Sequence, residues 1–168
     1  NVQLTTSDAT KTMVAGTAFS TTVDGVNYQF VTISDKTSSN SGDVVTFDST
    51  EIYEGTYVIG KTIVDTSNPD QKFILTDPNA DTSTLTVKVQ NSTSDTTSTT
   101  YTKATDITQL NTSSTVYYLQ EAERGRFEVY FGDGVVSKAL TNGNIVILSY
   151  VVTNKGVANG VSTFSAPT

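Results

Sequence analysis

Three sets of residues in this 168-residue chain have types and spacings that could carry chemistry. The first is Gly132, Asp133 and Gly134, which follow the alternating run FEVYF, with Ser137 where a dinucleotide-binding turn would place its third glycine. Such a site needs that glycine, a helix whose N-terminus receives the pyrophosphate, and an acidic residue roughly 20 positions further on. Here TNGN interrupts after a few residues and another strand-like run follows, so no helix has room to form. The loop is therefore read as a tight turn or bulge with positive φ, and Asn142-Gly143 as a hairpin-type turn.

The second set is Asp77, Asn79 and Asp81, at the first, third and fifth positions of a calcium loop. Thr82 stands where the sharp-turn glycine belongs and Lys88 where a bidentate Glu belongs, so a Pro-Asn-Asp turn explains the segment better. The third set is the carboxylate pairs Glu51 with Glu54 and Glu121 with Glu123, the acid/base arrangement of a histidine-free glycoside hydrolase. Glu121 and Glu123 sit two apart on a strand beside Arg124, which reads as a charged sheet edge that discourages strand addition. Asn91-Ser92-Thr93 and Asn111-Thr112-Ser113 match the glycosylation pattern, as chance allows in a chain this rich in Ser, Thr and Asn.

Composition narrows the field further. The chain has no histidine and no cysteine, which removes the Ser-His-Asp triad, the Cys-His pair, the usual zinc sites and disulfides. A net charge of −7 with ten scattered basic residues argues against nucleic acid as a partner. No apolar run approaches the roughly 18 residues of a membrane span, so no membrane partner is expected, and no cofactor or metal either. The opening NVQLTTSDAT has neither the basic nor the apolar region of a signal peptide. It also lacks an initiator Met, from which a piece of a longer protein is expected.

The elements that must hold these residues are strands. About 30% of the chain is Ser or Thr, well above ordinary usage, and Thr, Val, Tyr and Phe favour pleated backbone. TLTVKVQN sets Leu85, Val87 and Val89 against Thr86, Lys88 and Gln90, while FEVYF sets Phe127, Val129 and Phe131 against Glu128 and Tyr130. VYYLQEAE opposes Val116 and Tyr118 to Tyr117 and Leu119. NIVILSYVV is apolar on both faces, as an internal strand should be. Further strands are expected at 13–20, 26–34, 44–47, 51–59 and 72–75, and one helical turn within 103–110 capped by Thr105 or Asp106. Residues 35–43 and 91–100 read as exposed polar loops or hairpin tips. The expected architecture is all-β, an antiparallel β-sandwich-like fold with little helix. Two small lobes are expected, 1–65 plus 155–168 and 66–154.

The stretch FEVYFGDGVVSKALTNGNIVILSYVVTNKGVANG is similar to the signature of baseplate wedge proteins of contractile-tailed bacteriophages, the baseplate J-like family. Phe131, Gly132, Asp133, Gly134, Gly143, Asn144, Tyr150, Gly156, Asn159 and Gly160 match that pattern in order. Upstream, VAGTAF at 14–19 resembles the family's AGT-x-F strand, IYEGTYV its EG strand, and DPNADTSTLTVKV the segment before its Ser/Thr-rich loop. Ser137 departs from the pattern, which commonly has glycine there.

The resemblance implies a structural protein rather than an enzyme: a fragment of a wedge subunit that forms a homo-oligomer, dimer or ring, and binds other baseplate wedge proteins. It also implies assembly in the bacterial host cytoplasm and a final place in the virion tail baseplate. The alternative is a secreted or surface β-sandwich adhesin or carbohydrate-binding module. That reading needs several exposed aromatics on one face, whereas Tyr117 and Tyr118 alternate and there is no Trp.

Overall fold

The computed structural model describes residues 1–153, 161 and 163–165. The chain is all-β, with fourteen strands and two short 3-10 turns among these residues. It divides into two compact units, Asn1–Tyr57 with Val151–Thr168, and Val58–Tyr150.

In the first unit, β1 (Val2–Thr5), β2 (Thr10–Met13), β5 (Lys36–Ser41) and β6 (Val44–Phe47) form an antiparallel sheet in the order β1-β6-β5-β2. β3 (Ala18–Val23), β4 (Val26–Val31) and β7 (Tyr53–Glu54) form a second sheet. Two-residue turns close both hairpins. Asp24 and Gly25 have φ of 50° and 80°, and Gly42 and Asp43 both have 62°, the doubly positive pattern of type I′ turns that suits the strand twist. Met13, Phe19, Val45 and Phe47 make the core, with Val2, Phe30, Ile52 and Phe164 packed against it. Phe164 meets Phe30 edge-on at 4.9 Å.

Three expectations fail in this unit, the first being the strand expected over 51–59, which is broken at Gly55 so that only Tyr53–Glu54 pairs with β4. Residues 36–41 form a strand rather than a loop tip, because the polar run KTSSNS pairs with β6, which supplies the buried Val45 and Phe47. The single strand expected over 13–20 is broken by a turn. The carbonyl of Val14 accepts from Thr17 N (3.1 Å) and Thr17 Oγ1 (2.7 Å), local bonds that compete with a continuous ladder, and from Thr32 Oγ1 (2.9 Å) across the turn.

The second unit is built on one seven-stranded sheet in the order β8-β14-β10-β11-β12-β13-β9. Its strands are β8 (Thr56–Ile63), β9 (Phe73–Leu75), β10 (Ala80–Gln90), β11 (Ser98–Lys103), β12 (Val116–Glu121), β13 (Phe127–Phe131) and β14 (Ile145–Val152). β11 and β12 run parallel, a departure from a purely antiparallel sheet. Parallel neighbours need a crossover of about a dozen residues, and 104–115 provides it. The 3-10 turn Ile107–Gln109 lies within that crossover, and Asp106 Oδ1 caps it by accepting from Thr108 N.

β14 is internal, and its Ile145, Val146, Leu148 and Tyr150 are all buried. Leu75, Val87, Val129 and Val146 are fully enclosed, each stabilising the fold by about 1.5–3 kcal/mol relative to exposure. Phe131 packs edge-on against Phe73 at 5.6 Å and Tyr101 at 5.4 Å, the geometry that aromatic quadrupoles prefer.

Candidate functional site

The turn after β13 is held by its own backbone. Gly132 bridges Ala139, Gly134 N donates to Ser137 O at 2.9 Å, and Asp133 Oδ1 accepts from Val135 N at 2.9 Å. The N–H groups that a phosphate nest would need are thus engaged within the loop. The backbone N–H of Val135 holds the Asp133 carboxyl below its usual range against the opposing effect of burial, with lesser help from those of Val136 and Asp133 itself.

Glycine is required here for two different reasons. Gly134 has φ of +87°, a region that L side chains rarely enter. Gly132 is not among the positive-φ residues, contrary to expectation; its constraint is space. A Cβ there would lie 2.0 Å from Ser137 Oγ and 2.5 Å from Ser137 O. Ser137 itself is fully buried, and its Oγ lies 3.5 Å from Tyr118 OH.

Between the exposed Asp133 and Lys138 the loop presents two apolar side chains to solvent. Val135 is 70% exposed and Val136 44%. On the neighbouring strands Tyr118 lies directly opposite Tyr130, and the two rings stack at 5.1 Å with an interplanar angle of 20°. Alternation separated Tyr117 from Tyr118 correctly, but only the β12–β13 register shows that Tyr118 gains an aromatic partner on the outer face. A recess of about 280 Å³ beside the loop is lined by Phe73, Glu128, Tyr130, Phe131, Gly132 and Leu140 among others.

The second glycine turn is a stitch rather than a hairpin. β13 and β14 are not neighbours in the sheet, so Asn142-Gly143 joins no strand pair. Asn144 N donates to Thr141 O at 3.0 Å and Gly143 has φ of +84°, which defines a type II turn. Around it, Gly143 N donates to Val64 O (2.9 Å), Val64 N donates to Asn144 O (2.8 Å), and Thr66 N donates to Asn142 Oδ1 (3.1 Å). Asn144 adds two side-chain bonds: its Oδ1 accepts from Thr141 N at 2.8 Å and its Nδ2 donates to Asn91 O at 2.9 Å. Tyr150, 2% exposed, places its hydroxyl 3.2 Å from both Thr76 N and Thr76 Oγ1.

The structure thus positions Phe131, Gly132, Asp133, Gly134, Gly143, Asn144 and Tyr150 within the second unit. Gly156, Asn159 and Gly160 lie outside the described residues. Sequence reasoning missed Ser137 as the packing partner of Gly132, and Asn144 as the tie to Asn91; both are contacts between segments that periodicity does not encode.

Glu121 ends β12 while Glu123 opens the 3-10 turn Glu123–Gly125, so the two do not share a strand as expected, and the aspartates are occupied by turn formation. Asp77 Oδ1 accepts from Asn79 N, and Asp81 Oδ1 accepts from Ser83 N and Oγ. Glu51 meets the hydroxyl of Tyr53 at 3.2 Å. Among the described residues no group of three or more carboxylates converges as a metal site.

A search among curated proteins finds no match. A family model does match, that of bacteriophage baseplate wedge protein gp6, third domain, over residues 58–161. The matched segment starts where the second unit starts and contains the whole FGDG-to-Tyr150 stretch. With well over half of its length matched, the chain belongs to the bacteriophage baseplate wedge protein gp6 third-domain family, a structural component of the phage tail baseplate.

Proposed function

We propose that this chain is a non-catalytic scaffold of the baseplate wedge, which self-associates and contacts other wedge subunits as the baseplate assembles. Assembly takes place in the bacterial host cytoplasm and the product is carried in the virion. The observation that carries the reading is the family match over a unit whose signature loop is internally hydrogen-bonded and offers Val135 and Val136 to solvent. A loop whose polar groups are already paired loses little entropy on docking, and exposed aliphatic anchors on such a loop supply binding energy when a partner covers them.

In this reading Phe131, Gly132, Asp133, Gly134, Gly143, Asn144, Tyr150, Asn159 and Gly160 are framework residues that shape the contact surface. The two lobes serve as separate contact modules. The fragment's parent protein, tested by light scattering and by pull-down of other tail proteins, is expected to self-associate and to capture wedge subunits. Substituting Val135→Asp together with Val136→Asp should weaken capture roughly tenfold or more without lowering the melting temperature. A parent protein that stays monomeric at high concentration and binds no tail protein would remove the reading's support. Glycan binding abolished by Tyr130→Ala would favour the adhesin alternative.

A further inference from the structure

We propose that Asn142 is a spontaneous deamidation site that the native fold guards. In an Asn-Gly pair the backbone nitrogen of the glycine attacks Cγ of the asparagine, unhindered by any Cβ. A C–N bond forms to that nitrogen, the bond from Cγ to the side-chain nitrogen breaks, and ammonia leaves carrying the displaced proton. One water then opens the cyclic imide at either carbonyl to leave aspartate or isoaspartate. Nothing is oxidised or reduced, and water is the only co-reactant.

The chain places this pair in an exposed turn, yet both reacting groups are held. The nucleophile, Gly143 N, donates to Val64 O at 2.9 Å, and the electrophilic amide is drawn towards Thr66 N, which donates to Asn142 Oδ1 at 3.1 Å. The type II turn adds a third restraint. Its second residue has ψ of about +120°, opposite in sign to the value that brings Cγ over the next nitrogen. Cyclisation therefore requires the stitch between 64–66 and 141–144 to open. Isoaspartate would then lengthen the backbone by one carbon within the turn and break the paired Val64 bonds to Gly143 and Asn144. The modification is a chemical record of time spent with this loop open, before or between assembly contacts.

Peptide mapping by mass spectrometry after incubation at mildly alkaline pH tests the proposal. The folded protein should deamidate at Asn142 at least on the order of tenfold more slowly than the same protein in guanidinium, as expected when reaction requires local opening. The sequence-equivalent pair Asn159-Gly160 serves as the rate standard in guanidinium, where the two should match. Thr66→Pro removes the donor to Asn142 and should raise the folded-state rate several-fold. If that variant misfolds, slow hydrogen exchange at the Gly143 amide of the unaltered protein provides the second measurement. Equal rates in folded and unfolded protein, or a rapidly exchanging Gly143 amide, would overturn the proposal.

Discussion

Gly132 and Ser137 touch so closely that no side chain fits between them: a Cβ on Gly132 would sit 2.0 Å from the buried Ser137 Oγ and 2.5 Å from its carbonyl oxygen. The substitution Gly132→Ala should therefore destabilise the protein by about 1–3 kcal/mol through overpacking. Adding Ser137→Gly removes the hydroxymethyl side chain but leaves the Ser137 carbonyl in the way, so rescue should be partial. Chemical denaturation of the single and double variants measures both effects, and an unchanged Gly132→Ala midpoint would refute the contact.

Gly143 makes the contrasting case. Nothing lies within 4 Å of a Cβ there, and the constraint is its φ of +84°. Asn tolerates the left-handed region, so Gly143→Asn should cost less than Gly132→Asn in a paired thermal melt. A larger loss at position 143 would contradict this assignment.

Removing the Tyr150 hydroxyl should leave Thr76 N without its buried partner. Because Thr76 itself is exposed, Tyr150→Phe is expected to cost about 0.5–1.5 kcal/mol, the net worth of an ordinary hydrogen bond, read from a urea titration. Asn144→Ala, which deletes the bonds to Thr141 and Asn91, should cost a similar amount and increase hydrogen exchange at Thr141.

Stability should fall at both extremes of pH. The carboxyls of Asp65, Asp95 and Asp106 are lowered chiefly by side-chain hydrogen bonds, from Ser67, Asn91 and Thr108, and that of Asp133 by the N–H of Val135. Their contribution is present above the ordinary Asp value of about 3.9 and is lost as pH falls through the lowered folded values. Burial raises the hydroxyls of Tyr101 and Tyr117. Their contribution is present below about pH 10 and is lost as pH rises through the raised folded values. Melting temperature against pH checks both limbs. Asp133→Asn, which keeps an acceptor for Val135 N, should flatten the acid limb slightly.

Strand β8 is an edge of the seven-stranded sheet, and Lys61 stands on it between the exposed Ile59 and Ile63. A charge there discourages edge-to-edge pairing. Lys61→Val should produce concentration-dependent association by light scattering with little change in melting temperature. A strictly monodisperse variant would show that Lys61 has no such role.

Much of the second unit was legible because its strands carry their pattern locally. Alternation in 127–131 and the two-faced apolar run of β14 mark β13 and an internal strand without reference to any partner. The first unit was less legible. β5 contains no apolar residue, and its best signal was Gly42-Asp43, a two-residue turn leading into Val45 and Phe47. The FGDG segment was recognisable as a turn because glycine and Asx residues act on their own backbone, but its true constraint lay five residues away.

The sequence by itself determined that the chain is β, that histidine and thiol chemistry are closed to it, and that its glycine-rich segments are turns. These properties follow from side-chain type and from a period-two pattern that each segment carries alone. Tertiary structure decided the rest: the parallel β11–β12 ladder, the Tyr118–Tyr130 stack, the Asn144 stitch and the fit of Gly132 against Ser137. Each joins positions whose proximity depends on register and strand order, and packing of the whole sheet selects those in a way that no local propensity specifies.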